Sequence, residues 1–138
     1  MSRFDELLAI ELAKERKPRQ HHDDEEHRIQ ASMVRWFRLK YPKLKHTLFA
    51  VPNGANKTKA QAAKFKAEGL LSGVSDLILL KSNRYYGALL IEVKTATGRQ
   101  SDNQKLWQAA ITQDAYKYIV VRSLDDFIRE VTNYLKDV

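Results

Sequence analysis

Cysteine is absent from this 138-residue chain. That excludes disulfides, thiolate zinc sites, iron–sulfur clusters and thiol nucleophiles. Long apolar stretches are missing too: the longest uninterrupted runs are of four residues, Leu77–Leu80 and Ala88–Ile91 among them. Neither could span a bilayer. The start, Met1-Ser2-Arg3-Phe4-Asp5-Glu6, has no basic region leading into an apolar stretch, so a signal peptide is not expected. A soluble, cytoplasmic, non-secreted protein is the expectation, with no membrane partner and no small-molecule cofactor. One further absence is local. No acidic residue occurs between Glu26 and Glu68, a stretch that holds ten basic ones. The whole chain carries a net charge of +7, so outside this segment it is slightly acidic. A regional excess of this kind points to a polyanion such as nucleic acid. Well-solvated helix faces are the plainer alternative.

What is present suits one domain. Apolar residues make up 43% of the chain, enough for a core. Ser2 and Asp5 predict a capped helix over 3–16, with Phe4, Leu7, Leu8 and Leu12 as its stripe. Pro18 marks a boundary. A second helix is expected from Asp23 or Asp24 to Lys40, its apolar face Ile29, Met33, Trp36 and Phe37, ended by Tyr41-Pro42. Strands are expected at His46–Val51, Leu77–Lys81, Ala88–Lys94 and Tyr116–Val121. Helices are expected at Lys57–Leu70, Ser101–Gln113 and Leu124–Leu135. In the Ser101 helix, Leu106, Ala109 and Ala110 are expected to face inward, with Trp107 as a further candidate. This order predicts an α/β fold, a central sheet with helices on both faces. The two central strands are apolar nearly throughout, as strands covered on both sides are.

The residues that carry chemistry are Asp76 and Glu92-Val93-Lys94. If strands 77–81 and 88–94 pair symmetrically about Arg84, Asp76 lies across from Glu92 and Ile78 across from Leu90. Cross-strand partners share a face, and Lys94 joins them by the two-residue period. Two carboxylates and an ammonium then converge on apolar strands. That arrangement is costly unless something compensates the charge. A divalent cation would do so, since Mg²⁺ takes hard oxygen ligands, often one or two carboxylates with phosphate and water. Lys94 could then hold or deprotonate a water aimed at phosphorus. A salt-bridged strand end is the alternative, and Glu15-Arg16-Lys17 shows that a Glu-x-Lys triplet also arises by chance. His21, His22 and His27 lack partners at ligand spacing and read as solvated. Trp36, Phe37 and Trp107 read as core.

Gly73-Val74-Ser75-Asp76-Leu77, Ile91-Glu92-Val93-Lys94-Thr95 and Gly98-Arg99-Gln100-Ser101-Asp102-Asn103-Gln104 together resemble the PD-(D/E)XK nuclease superfamily. Within it they are most similar to the stand-alone phage and bacterial type of VRR-NUC (virus-type replication-repair nuclease) domain. Glu26-His27-Arg28-Ile29-Gln30 and Pro52-Asn53-Gly54 fit the same pattern, and the likeness spans roughly 24–122. It departs where Ser75 stands in place of the usual proline, and where Asp114-Ala115 replaces a glycine before the last core strand.

The resemblance implies a restriction-endonuclease-like core with a mixed sheet of about four strands. It divides the chain into an N-terminal helix and linker (1–22) and a nuclease domain (23–138). It implies Asp76, Glu92, the Val93 carbonyl and Glu26 as ligands of Mg²⁺ or Mn²⁺. Lys94 and Gln104 would position or activate water, and Gln30 would support the cleft. It implies a DNA endonuclease of replication, recombination or repair, a homodimeric four-way (Holliday) junction resolvase. Branched DNA would be gripped through Arg35, Arg38, Asn53, Gly54, Lys57, Lys59 and Lys64. A restriction- or defence-type nuclease and a non-catalytic DNA-binding module are the alternatives. The Phe4, Leu7, Leu8 and Leu12 stripe is either a dimer contact or packing on its own domain.

Overall fold

The computed structural model describes residues 2–14, 22–52 and 58–138. Its elements run α1 (Arg3–Lys14), α2 (His22–Lys40), a 3₁₀ helix (Pro42–Thr47), β1 (Leu48–Ala50), α3 (Lys59–Ala67), β2 (Leu77–Leu79), β3 (Ala88–Val93), α4 (Asp102–Ile111), β4 (Tyr116–Val121) and α5 (Leu124–Leu135). The four strands lie in sequence order in one mixed sheet. β1–β2 and β2–β3 are antiparallel, and β3–β4 is parallel across the α4 connection. This is the expected architecture. Among the described residues no helix is long and apolar enough to cross a membrane.

The first strand is shorter than the expected His46–Val51. Pro42 presets the backbone dihedral of a helical first turn, and the Thr47 hydroxyl bonds back to the Leu44 carbonyl at 2.7 Å. The chain therefore coils through His46 before it extends. β1 is nevertheless extended at its far end, where Val51 N–H donates to the Asp76 carbonyl at 2.9 Å. That bond ties the start of the β2 segment, and with it Asp76, into the sheet.

The two faces of the sheet differ. Leu48, Leu77, Leu79, Leu89, Ile91, Val93, Ile119 and Val121 meet Met33, Trp36 and Phe37 of α2 and Phe127, Ile128 and Val131 of α5 in one buried cluster. The expected stripe of α2 thus enters the core through Met33, Trp36 and Phe37, with Ile29 partly buried against it. The opposite face carries Phe49, Ile78, Leu90, Glu92 and Tyr118. Here α4 contacts β4, β3 is buried at every position, and Ile78 of β2 is only half-buried. Cover is complete over the middle of the sheet and thins toward the β1 edge.

The N-terminal cap forms as expected: Asp5 N–H donates to Ser2 Oγ at 3.2 Å, and Ser2 N–H to Asp5 Oδ2 at 3.3 Å. Asp5 is also buried and accepts from Trp36 Nε1 at 2.8 Å. That bond and Leu8, packed on the core, dock α1 on its own domain. Phe4 and Leu7 stay about half exposed. The Leu12 side chain lies outside the described residues.

Candidate metal and catalytic centre

Hairpin pairing brings the carboxylates together. The observed partners are Leu77 with Ile91, Ile78 with Leu90 and Leu79 with Leu89, which is the register expected from symmetry about Arg84. One step further along the same register, Asp76 faces Glu92. Asp76 Oδ2 accepts from Val93 N–H at 2.7 Å, so the backbone of β3 pins this carboxylate beside its partner. Lys94 N–H donates to the Val121 carbonyl at 3.0 Å. Its ammonium lies 4.0 Å from Glu92 Oε1, and both side chains are largely withdrawn from solvent.

Glu92 is wholly buried. Burial, a hydrogen bond shared with the Asp76 carboxyl and the charge of Asp76 push its pKa from 4.5 up to about 9, against the pull of Tyr118 and Lys94. Two carboxyl groups this close favour holding a proton between them. The same surroundings suit a divalent cation, because the donors are hard oxygens and two carboxylates are a usual protein share for Mg²⁺. Asp76, Glu92 and the Val93 carbonyl could hold one. Among the described residues no group of three His, Cys, Asp or Glu side chains forms a metal site. Glu26 therefore does not complete a carboxylate triad with Asp76 and Glu92.

Gln104 enters from α4 through its cap. Ser101 N–H donates to Gln104 Oε1 at 2.8 Å, and Gln104 N–H to Ser101 Oγ at 3.2 Å, a capping box. With its oxygen engaged, the amide turns its nitrogen to Glu92, and Nε2 donates to Oε1 at 2.9 Å. The inward face of α4 is therefore Gln104, Trp107, Gln108 and Ile111, at helical spacing and all half-buried. The expectation for Leu106, Ala109 and Ala110 is corrected: all three are exposed, Leu106 at 69%. Hydrophobicity misleads here because the helix covers a polar site.

Three contributors were not read from the sequence. Tyr118 on β4 donates to Glu92 Oε2 at 3.0 Å. Its own pKa is raised, chiefly by burial and then by the charge of Glu92. Gln100 Nε2 donates to the Tyr118 hydroxyl at 3.1 Å. Arg122 donates through one guanidinium nitrogen to the carbonyls of Thr95 and Gly98, each at 2.7 Å, and so ties down the turn that follows Lys94. Nothing in the strand Tyr116-Lys117-Tyr118-Ile119-Val120-Val121 sets Tyr118 apart from Tyr116.

Gln30 lines a surface groove of α2 with His27, Val34, Arg35 and Arg38. Lys59 and Lys64 are exposed on α3, which buries no residue. Asn53, Gly54 and Lys57 lie outside the described residues.

Gly73 sets where α4 begins. Its φ is +93°, and a Cβ there would stand 2.4 Å from the Asn103 carbonyl oxygen. Gly73→Ala is expected to cost about 2–4 kcal/mol, strain and overlap combined. Gly69→Ala, at φ +108° but with nothing within 4 Å, is expected to cost about 1 kcal/mol from strain alone. Urea unfolding of both variants checks the difference, and equal losses would show that Gly73 does not hold α4 in place.

The VRR-NUC domain model matches residues 13–125. A solved structure described as a VRR_NUC domain protein is similar in sequence and shape, with 25% identity and a TM-score of 0.71. The match covers 82% of this chain and 89% of that one. No curated protein matches.

Proposed function

Because the chain belongs to the VRR-NUC domain family and has its PD-(D/E)XK-type nuclease fold, we propose that it is a Mg²⁺- or Mn²⁺-dependent DNA endonuclease acting on branched DNA. The observation that carries this reading is the Asp76–Glu92 pair, facing across β2 and β3 with the Lys94 ammonium 4.0 Å from Glu92 Oε1. A divalent cation bound there would polarise the phosphodiester and lower the pKa of water. Lys94 holds the attacking water and takes or shares its proton. Gln104 keeps Glu92 in place and borders the path of that water. Glu26, on α2, would act on the cation through water rather than as a direct ligand. Cleavage leaves a 5′-phosphate and a 3′-hydroxyl.

The proposed setting is the cytoplasm of a bacterial or phage-infected cell, with the protein working as a homodimer on four-way junctions. Paired cuts need two active sites, which two-fold symmetry supplies. The exposed Phe4 and Leu7 are candidates for the contact. Light scattering that finds only monomer at working concentration would refute the dimer.

The test of the activity is direct. Linear duplex, fork, flap and four-way junction are incubated with Mg²⁺, Mn²⁺ or chelator, and the cuts are mapped. Symmetric junction cuts that need the cation are expected. Cleavage that persists in chelator would sink the metal reading. Sequence-dependent cutting of linear duplex would replace the resolvase with a restriction-type enzyme.

The basic segment is proposed as a backbone grip with little direct base reading. DNA affinity is expected to fall linearly on a log–log salt plot, by a slope of about 0.9 per phosphate neutralised. Fluorescence anisotropy from 50 to 200 mM salt checks this, and a flat response would remove the assignment.

A further inference from the structure

We propose that Tyr118 is the positioning residue for Glu92: its hydroxyl, steered by Gln100, fixes the carboxylate that holds the divalent cation. The inference rests on the nuclease reading above. It starts from how few options a phenol has. A hydroxyl has one hydrogen and two acceptor lone pairs. Gln100 Nε2 points a hydrogen at the oxygen from 3.1 Å, and its second hydrogen goes to Gln108 Oε1 at 3.0 Å. The phenolic hydrogen is thereby directed to Glu92 Oε2, at 3.0 Å.

The ring is held as well. Trp107 of α4 packs against it, with centroids 6.1 Å apart. The parallel register sets Tyr118 beside Leu90 and Val120 beside Glu92. Tyr118 is therefore the diagonal neighbour of Glu92 on the same face. Gln104 Nε2 meets the other oxygen, Oε1, at 2.9 Å. A donor on each oxygen fixes the plane of the carboxylate. Each oxygen still has acceptor capacity, so the clamp orients Glu92 without using it up. Tyr118 acts through Glu92, the usual place of a residue that supports a metal ligand.

Tyr118→Phe removes the hydroxyl and keeps the ring on Trp107. Mn²⁺ titration of the full chain by calorimetry, without DNA, is expected to show about 10–100-fold weaker binding than the parent. Junction cleavage is expected to need correspondingly more Mn²⁺ and to recover at saturation, with KM for DNA unchanged. Tyr116→Phe, on the same strand but 40% exposed, is expected to match the parent. Unaltered Mn²⁺ affinity in Tyr118→Phe would overturn the proposal and leave the nuclease reading standing. Failure of the parent itself to bind Mn²⁺ or cut DNA would overturn both.

Discussion

Asp76→Asn is expected to reduce DNA cleavage by about a hundredfold to a thousandfold, the scale seen when one group that stabilises transition-state charge is removed, with DNA affinity close to that of the parent. The amide has the shape of the carboxylate. Its oxygen can keep the 2.7 Å bond from Val93 N–H. Its nitrogen then points toward Glu92 and donates to that carboxyl group. The fold is retained, but one of the two carboxylates offered to the proposed cation is lost and a donor faces it. Because the substitution leaves every basic residue of 28–66 untouched, binding and cutting separate. The measurement is single-turnover cleavage of a labelled junction beside anisotropy on the same DNA without metal. Undiminished cleavage would refute the two-carboxylate site. Equal loss of binding and cutting would make Asp76 a structural residue.

Glu92→Gln is expected to stabilise the metal-free protein at pH 8 while removing cleavage. The buried Glu92 titrates near 9 in the fold, against 4.5 when unperturbed. Between those values the folded protein keeps a proton that the unfolded chain has released. Stability contributed by the protonated group is therefore complete below about 4.5 and is lost as pH rises through about 9. The slope approaches about 1.4 kcal/mol per pH unit for one proton. Glutamine carries no such charge, so the variant's curve should be flatter across this window. Adding Mg²⁺ to the parent should also flatten it, since a bound cation takes the place of the proton. Urea unfolding from pH 5 to 9, with chelator and then with Mg²⁺, reads all three curves. A level profile for the parent in chelator would show that Glu92 is not held protonated.

The two variants probe a site whose parts differed in how readable they were. Symmetric pairing about Arg84 places Asp76 opposite Glu92, and the observed partners Leu77–Ile91, Ile78–Leu90 and Leu79–Leu89 have that register. Alternation then put Lys94 on the same face. The stripe of α2 was legible for a similar reason, since it packs against apolar strands. α4 was legible as a helix but not in its orientation. Its inward face is Gln104, Trp107, Gln108 and Ile111, and Leu106 points outward, because what it covers is the hydrogen-bonded surround of a buried acid. Gln104 was anticipated through resemblance to a family. The capping box that aims its amide needed the first turn of α4 to be in place.

Tyr118 marks the limit most clearly. Its strand was anticipated at the right residues, yet nothing local relates β4 to β3. They are parallel and joined through a helix, so packing of the crossover sets their register, not a turn. The sequence by itself determined the strand and helix order, the hairpin pair Asp76 and Glu92 with Lys94, and the one-sided charge of 28–66. Local propensity and a two-residue period act over a few positions, and those features need no more. Tertiary structure alone decided which face of α4 meets the acid, that Tyr118, steered by Gln100, reaches Glu92, and that Arg122 ties the turn after Lys94. Each of these joins elements distant in the chain, and only the closing of the core brings them within hydrogen-bond reach.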